Sequence, residues 1–332
     1  MTISRQLDIY GKKVLLAGFR SHQNMWDELI LLGNIKLLQQ QKKEIYVIAH
    51  DPKWIEDFLK QSIDTTDITF LQEMPRGIRS IWKYIVSKKY KQIKSFFTID
   101  TIILGGGEIL TEESPHAYYY RLRSIRPALF LGKTLYLMGG IQIPKKRYNR
   151  LLCKRIFLHT KKIYSRDKEE IENIQTFGYK DVDFFMDTSY FALDNRKKYY
   201  HISSQKYIII NINSKWLHYL PELCKEIIDY AKEGYTSTYI SVCKGISDDD
   251  SKHFNAIQQM LPNMYKSFLQ QKDRSEDFIW FIKYLGGAHK VISTRLHLFL
   301  ISEFIGIETQ VYPYQKKINK MKKIIDEMKD EI

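Results

Sequence analysis

A chain of 332 residues is longer than one hydrophobic core usually supports, and 44% apolar with 27% charged residues is the make-up of a globular protein of two domains, not of a disordered or fibrous one. The formal charge of +14 selects for phosphates, anionic lipid or nucleic acid as partners and fixes nothing finer. Cys153, Cys224 and Cys243 are odd in number and outside any CxxC spacing, which excludes a disulfide framework and a thiolate zinc site, and Lys133 interrupts the most hydrophobic stretch, so no membrane span and a cytoplasmic location are expected.

The apolar run at Lys12–Gly18 predicts a short buried strand, and the helical spacing of apolar residues from Asp27 to Gln40 predicts a helix that returns to a strand at 45–49. Strand, helix and strand in so few residues is the pattern of a right-handed crossover in a parallel sheet. Further strands are expected at 101–104, 134–138 and 162–164, with a helix around 118–130. A polar interval, 194–205, ends this half. The second half begins with the buried strand KYIIININ at 206–213 and continues with a helix at 220–233, a strand at 238–242, helices at 249–260 and 275–285, a strand at 290–293, a helix at 295–305 and a strand at 309–312. The expected fold is therefore α/β, with two Rossmann-like, doubly wound domains, 1–196 and 197–332, facing across a cleft. Residues 316–332 read as a charged helix with an apolar stripe at Ile318, Met321, Ile325 and Met328, packed on the body.

Three segments carry candidate chemistry. In GGAHKVISTRLHLFLISEFIGI, 286–307, a strand runs into Ser293 and Thr294, either of which can cap the helix that begins Arg295-Leu296-His297. Unpaired helix N–H groups beside a guanidinium and an imidazole make an anion site. The segment from Lys161 repeats the geometry, with Ser165 as the cap and Arg166-Asp167 at the helix start. The third, IILGGGEIL, places Gly105, Gly106 and Gly107 after a strand, where backbone can approach a ligand closely. It has neither GxGxxG nor GxxxxGK spacing, so no dinucleotide or Walker-type site is expected.

Taken in order, these segments resemble the polysaccharide pyruvyl transferase family. The resemblance rests on Gly18-Phe19 through Asn24-Met25-Trp26-Asp27-Glu28, on Gly105-Gly106-Gly107, and on the turn-like Gly139-Gly140-Ile141-Gln142-Ile143-Pro144. It continues through Ser165-Arg166-Asp167, Phe177-Gly178, Asp187 and Arg295-Leu296-His297. Two positions depart from the family pattern: Trp26 replaces a usual Gly, and Gln315-Lys316 replace a usual Asp-Pro. The resemblance implies a GT-B-like fold that transfers pyruvate from phosphoenolpyruvate to a saccharide, often polyprenyl-linked, of a cell-surface polysaccharide. It implies a donor pocket of Arg166, Leu296, His297 and Lys317, to which the negative charge of the donor adds Arg295; the acceptor or cleft side is expected at Asn24, Trp26, Asp27, Glu28, Gly105, Gly106, Gly107 and Asp187. His297 and Arg166 are the expected catalytic residues, phosphoenolpyruvate is a co-substrate, and neither a cofactor nor a metal is expected.

Two other functions fit parts of the sequence. A nucleotide-sugar glycosyltransferase uses the same two-domain fold, and a nucleic-acid-binding protein fits the net charge, although the lysines read as scattered and no recognition motif accompanies them. The positive charge also suits peripheral contact with an anionic membrane that carries a lipid-linked acceptor.

Overall fold

Aliphatic runs such as KVLLA, EIYVIA and YIIIN have no polar face to offer water, so their strands are buried on both sides in parallel sheets covered by helices. The computed structural model describes residues 7–18, 25–73, 93–112, 118–119, 129–193, 199–201, 203–242, 244–245, 248–272 and 278–312. Its chain falls into two compact units, Met1–Ser21 with Trp26–Leu193, and His22–Met25 with Asp194–Ile332.

In the first unit, β1 (Lys13–Ala17), α1 (Met25–Gln40), β2 (Glu44–Ala49), α2 (Pro52–Lys60), β3 (Ile68–Gln72), α3 (Ile93–Thr98), β4 (Thr101–Leu110) and β5 (Thr134–Ile141) are followed by α4 (Arg147–Leu158), β6 (Thr160–Ser165), α5 (Lys168–Thr176), β7 (Val182–Phe184) and α6 (Ser189–Ala192). The seven strands lie parallel in the order β3-β2-β1-β4-β5-β6-β7. This is the Rossmann order, and its topological switch point lies between β1 and β4. One face of the sheet packs Leu135, Leu137 and Ile163 against Leu152, Cys153, Ile156 and Phe157 of α4. Burial pushes the Cys153 thiol up to about 12, so it behaves as an apolar core group.

Helix α1 is clamped to the segment before α6. The Asn34 Nδ2 donates to the Ile30 carbonyl and to Thr188 Oγ1, each at 2.8 Å, and Lys36 Nζ donates to the Ala192 carbonyl at 2.9 Å. A Cβ at Gly33 would overlap the Thr188 carbonyl, so the close approach of the two segments requires glycine there.

In the second unit, β8 (Tyr207–Asn211), α7 (Leu220–Lys232), β9 (Thr236–Ile240), the short antiparallel pair β10 (Lys244–Gly245) and β11 (Asp248–Asp249), α8 (Phe254–Met260), β12 (Leu269–Lys272), α9 (Phe278–Gly286), β13 (Lys290–Ser293), α10 (Leu296–Ile305) and β14 (Glu308–Val311) follow in order. The parallel order β12-β9-β8-β13-β14 repeats the first sheet's logic, with the switch point between β8 and β13.

Several sequence expectations shift. The first turn of the helix expected at 249–260 is a separate 3-10 turn, Asp250–His253, capped by Asp249 through Ser251 N at 3.0 Å. Gly139 to Ile141, read as a turn, complete strand β5. The helices expected around 118–130 and at 316–332 fall largely or wholly outside the described residues.

Candidate active site

The switch point of the first unit is lined by backbone. Strand β4 runs on through its three glycines, with irregular pairing to β5 between Gly105 and Leu110. Gly106 and Gly139 hold φ of +131° and +138°, and a Cβ at Gly139 would overlap the Gly106 carbonyl. The Gly18 carbonyl at the end of β1 also comes close, 3.6 Å from where a Gly106 Cβ would lie. A Cβ has no room at Gly139, so there the carboxyl edge of the sheet presents peptide groups.

Asp27 and Glu28 occupy the first turn of α1, where carboxylates favour the helix dipole. Glu28 is buried. Asn24 and the Trp26 side chain lie outside the described residues.

Arg166 follows β6. The Ser165 hydroxyl does not cap the helix as expected; it donates to Glu170 Oε2 at 2.9 Å, and the N-cap is Asp167, which accepts from Glu169 N at 2.8 Å. A carboxylate is the better acceptor for N–H groups at the positive end of a helix. Arg166 Nη1 donates to Asp187 Oδ2, and the two side chains are almost wholly buried. Asp187 Oδ1 accepts from Ser189 N at 3.1 Å. Asp187 thus holds the Arg166 guanidinium. Glu170 also accepts from Ile141 N at 3.1 Å, and burial raises its pKa above the usual carboxylate value.

In the second unit a polar network fills the switch point. Arg295 stands at the N-cap of α10, one residue before the helix expected to begin with it, and makes no side-chain cap. Ser293 Oγ instead accepts from Arg295 N at 2.8 Å. The guanidinium is gripped by Asp250, with Nε donating to Oδ2 at 3.3 Å and Nη2 to Oδ1. Arg295 is 14% exposed and Asp250 0%. Asn211, at the end of β8, donates through Nδ2 to Asp250 Oδ2 at 3.1 Å and to the Ile240 carbonyl at 2.9 Å. The Tyr239 hydroxyl donates to the Asp250 carbonyl at 2.6 Å, and burial raises its pKa. Thr294 Oγ1 accepts from Asn213 N at 2.8 Å.

Leu296 and His297 open α10, but their side chains lie outside the described residues, as does Lys317. The parallel pairing of β13 with β14, Ser293 opposite Val311, brings both strand ends to one edge, as the crossover pattern predicted. Among the described residues no group of three or more His, Cys, Asp or Glu could hold a metal ion, and no helix is long and apolar enough to cross a membrane. Asp250 and Asn211 were missed from sequence. Asp250 ends the run Asp248-Asp249-Asp250, which reads as a solvated charge cluster until the fold buries its last member.

Two parallel Rossmann-like sheets with charge at one switch point and glycine at the other define a GT-B-like protein, the fold shared with several sugar-nucleotide enzymes. A UDP-N-acetylglucosamine 2-epimerase from Neisseria meningitidis, solved bound to UDP-GlcNAc, has a TM-score of 0.55 and 10% identity over 90% of this chain and 82% of its own. A glycosyltransferase from Rickettsia africae has a TM-score of 0.54 and 13% identity over 90% and 79%. A UDP-GlcNAc 2-epimerase from Methanocaldococcus jannaschii has a TM-score of 0.57 and 10% identity over 91% and 85%. No curated protein matches significantly. The chain belongs to the polysaccharide pyruvyl transferase family, whose model matches residues 27–308.

Proposed function

We propose that the protein transfers pyruvate from phosphoenolpyruvate to two hydroxyls of one saccharide, forming a pyruvate ketal on a cell-surface polysaccharide or its lipid-linked precursor. The observation that carries the reading is the pinned Arg295 at the start of α10, at the switch point of the second unit. A donor with about three negative charges needs an oriented guanidinium and helix N–H groups, and a planar fork fixed by a carboxylate on its far side presents one geometry to a carboxylate or phosphate.

In this reading His297 gives a proton to C3 of the donor, so that C2 becomes electrophilic. One sugar hydroxyl adds to C2, the C2–O bond to phosphate breaks, and the second hydroxyl closes the ketal. Of the two hydroxyl protons released, one restores His297 and the other leaves with phosphate. Arg166, Leu296 and Lys317 complete the donor site, and the glycine-lined edge of the first unit, with Asn24, Trp26, Asp27 and Glu28, receives the neutral sugar. No metal or cofactor enters these steps; retained turnover in a chelator is the corresponding expectation.

The alternative is a nucleotide-sugar glycosyltransferase, favoured by the likeness of fold to the Rickettsia protein. Mass spectrometry of oligosaccharide incubated separately with phosphoenolpyruvate and with sugar nucleotides decides between them. A ketal-bearing product from phosphoenolpyruvate supports the proposal, and glycosyl addition from a sugar nucleotide overturns it.

A further inference from the structure

The net charge is not spread evenly. The 53 residues from Ser114 to Arg166 contain thirteen Lys and Arg and no Asp or Glu, while the other 279 residues carry 39 cations against 38 carboxylates. The lysines themselves are scattered; the stretch stands out because it holds seven of the 14 arginines and no carboxylate. In the second half of the stretch is α4, twelve residues long, which buries Asn149, Leu152, Cys153, Ile156 and Phe157.

Its outer face is unusual for a surface helix. Tyr148, Leu151 and Leu158 are 59%, 58% and 81% exposed. On a helical wheel they fall within about 80° of one another, with Arg155 between them and Arg147 and Lys154 alongside. Arg150 and Lys154 lie over the Phe177 ring at 4.8 and 5.7 Å, which fixes the edge of the cation row. Phe130, 92% exposed, precedes the neighbouring strand β5 at the sheet edge where α4 ends. Glu112 meets the helix at its start, accepting from Lys145 N and Lys146 N at 2.9 and 3.0 Å, and so satisfies backbone donors there.

We propose that the outer face of α4 docks the protein on an anionic phospholipid bilayer. Cations beside exposed apolar side chains on one helix face match a headgroup layer over an acyl boundary. A nucleic-acid backbone would use the cations and leave the exposed leucines without a role. That docking delivers the enzyme to a lipid-borne acceptor rests on the function proposed above; the docking itself does not.

The test is flotation of the full chain with phosphatidylglycerol–phosphatidylcholine vesicles and with phosphatidylcholine alone, without substrates. Binding to the anionic vesicles alone is expected. L151S with L158S should weaken it about tenfold or more at fixed low salt, and R147E with K154E and R155E should abolish it. Both variants should keep the parent melting temperature and the phosphate release measured with a water-soluble acceptor. Absent binding to anionic vesicles, equal binding by all three proteins, or tighter binding to RNA than to vesicles overturns the proposal. If vesicle binding behaves as expected while no phosphate is released from phosphoenolpyruvate, the function falls and the docking surface stands.

Discussion

In the first unit the switch point between β1 and β4 is bounded by Gly18, Gly106 and, on β5, Gly139, whereas in the second the equivalent point between β8 and β13 holds Asn211, Asp250 and Arg295. The strand order is the same and the contents are opposite. Removing side chains gives room and peptide groups, which suits a neutral, hydroxyl-rich ligand. Filling the same position with a buried ion pair gives an oriented charge. Each unit does have a strand-end arginine gripped by a buried aspartate, but Arg166 follows β6, away from its switch point, and Arg295 sits on it.

The contrast is broken most severely at Asp250. Replacing it with Ala leaves a mostly buried guanidinium without its carboxylate and removes an acceptor from Asn211, so a loss of about 3–5 kcal/mol is expected in denaturant unfolding. Asp250→Asn, which keeps the shape, should lose less. A loss in Asp250→Ala no larger than an exposed substitution would mean that the pair is not holding the switch point together.

At the glycine edge, Gly139→Ala forces a side chain into a conformation of φ +138° and against the Gly106 carbonyl. A loss of about 2 kcal/mol or more is expected, with the KM for saccharide rising more than that for phosphoenolpyruvate. An equal rise in both would erase the assignment of acceptor to the first unit. Arg295→Lys makes the opposite cut: a point charge cannot reproduce the two-nitrogen grip on Asp250, and the KM for phosphoenolpyruvate should rise about tenfold, while the acceptor KM stays near its parent value.

The smallest effect is expected at Glu170. Burial raises its pKa above 4.5, so folding disfavours its charged form. That cost is absent below about pH 4.5 and grows as pH rises through the folded pKa. Glu170→Gln removes the titration, so its melting temperature should gain on the parent's as pH rises from 4.5, and parallel profiles would show that the carboxyl stays solvated.

Much of the fold was readable in advance because parallel strands are short, apolar and separated by helices. The strand at 290–293 is where its pattern put it, and the helix after it begins one residue later. What escaped were α4, whose outer leucines blur the apolar stripe, α2, despite its clear apolar stripe at Ile55, Phe58 and Leu59, and the side-chain contacts between segments distant in sequence. Ser165-Arg166-Asp167 shows the limit: the motif was visible, but local reading gave the cap to Ser165 and left Arg166 beside Asp167, when the cap is Asp167 and the partner is Asp187, 21 residues on. Likewise, nothing local distinguishes Asp250 from Asp248 or Asp249; Tyr239 on β9, Asn211 on β8 and Arg295 across the sheet make it a buried anchor.

The measurement that bears most directly on the account is phosphate release from phosphoenolpyruvate by the purified protein, followed continuously with and without a saccharide acceptor. The account predicts release only when acceptor is present, in equal amount to the pyruvate found on the sugar. Release that does not depend on acceptor, or none with any saccharide tried while sugar nucleotides are consumed, would contradict it.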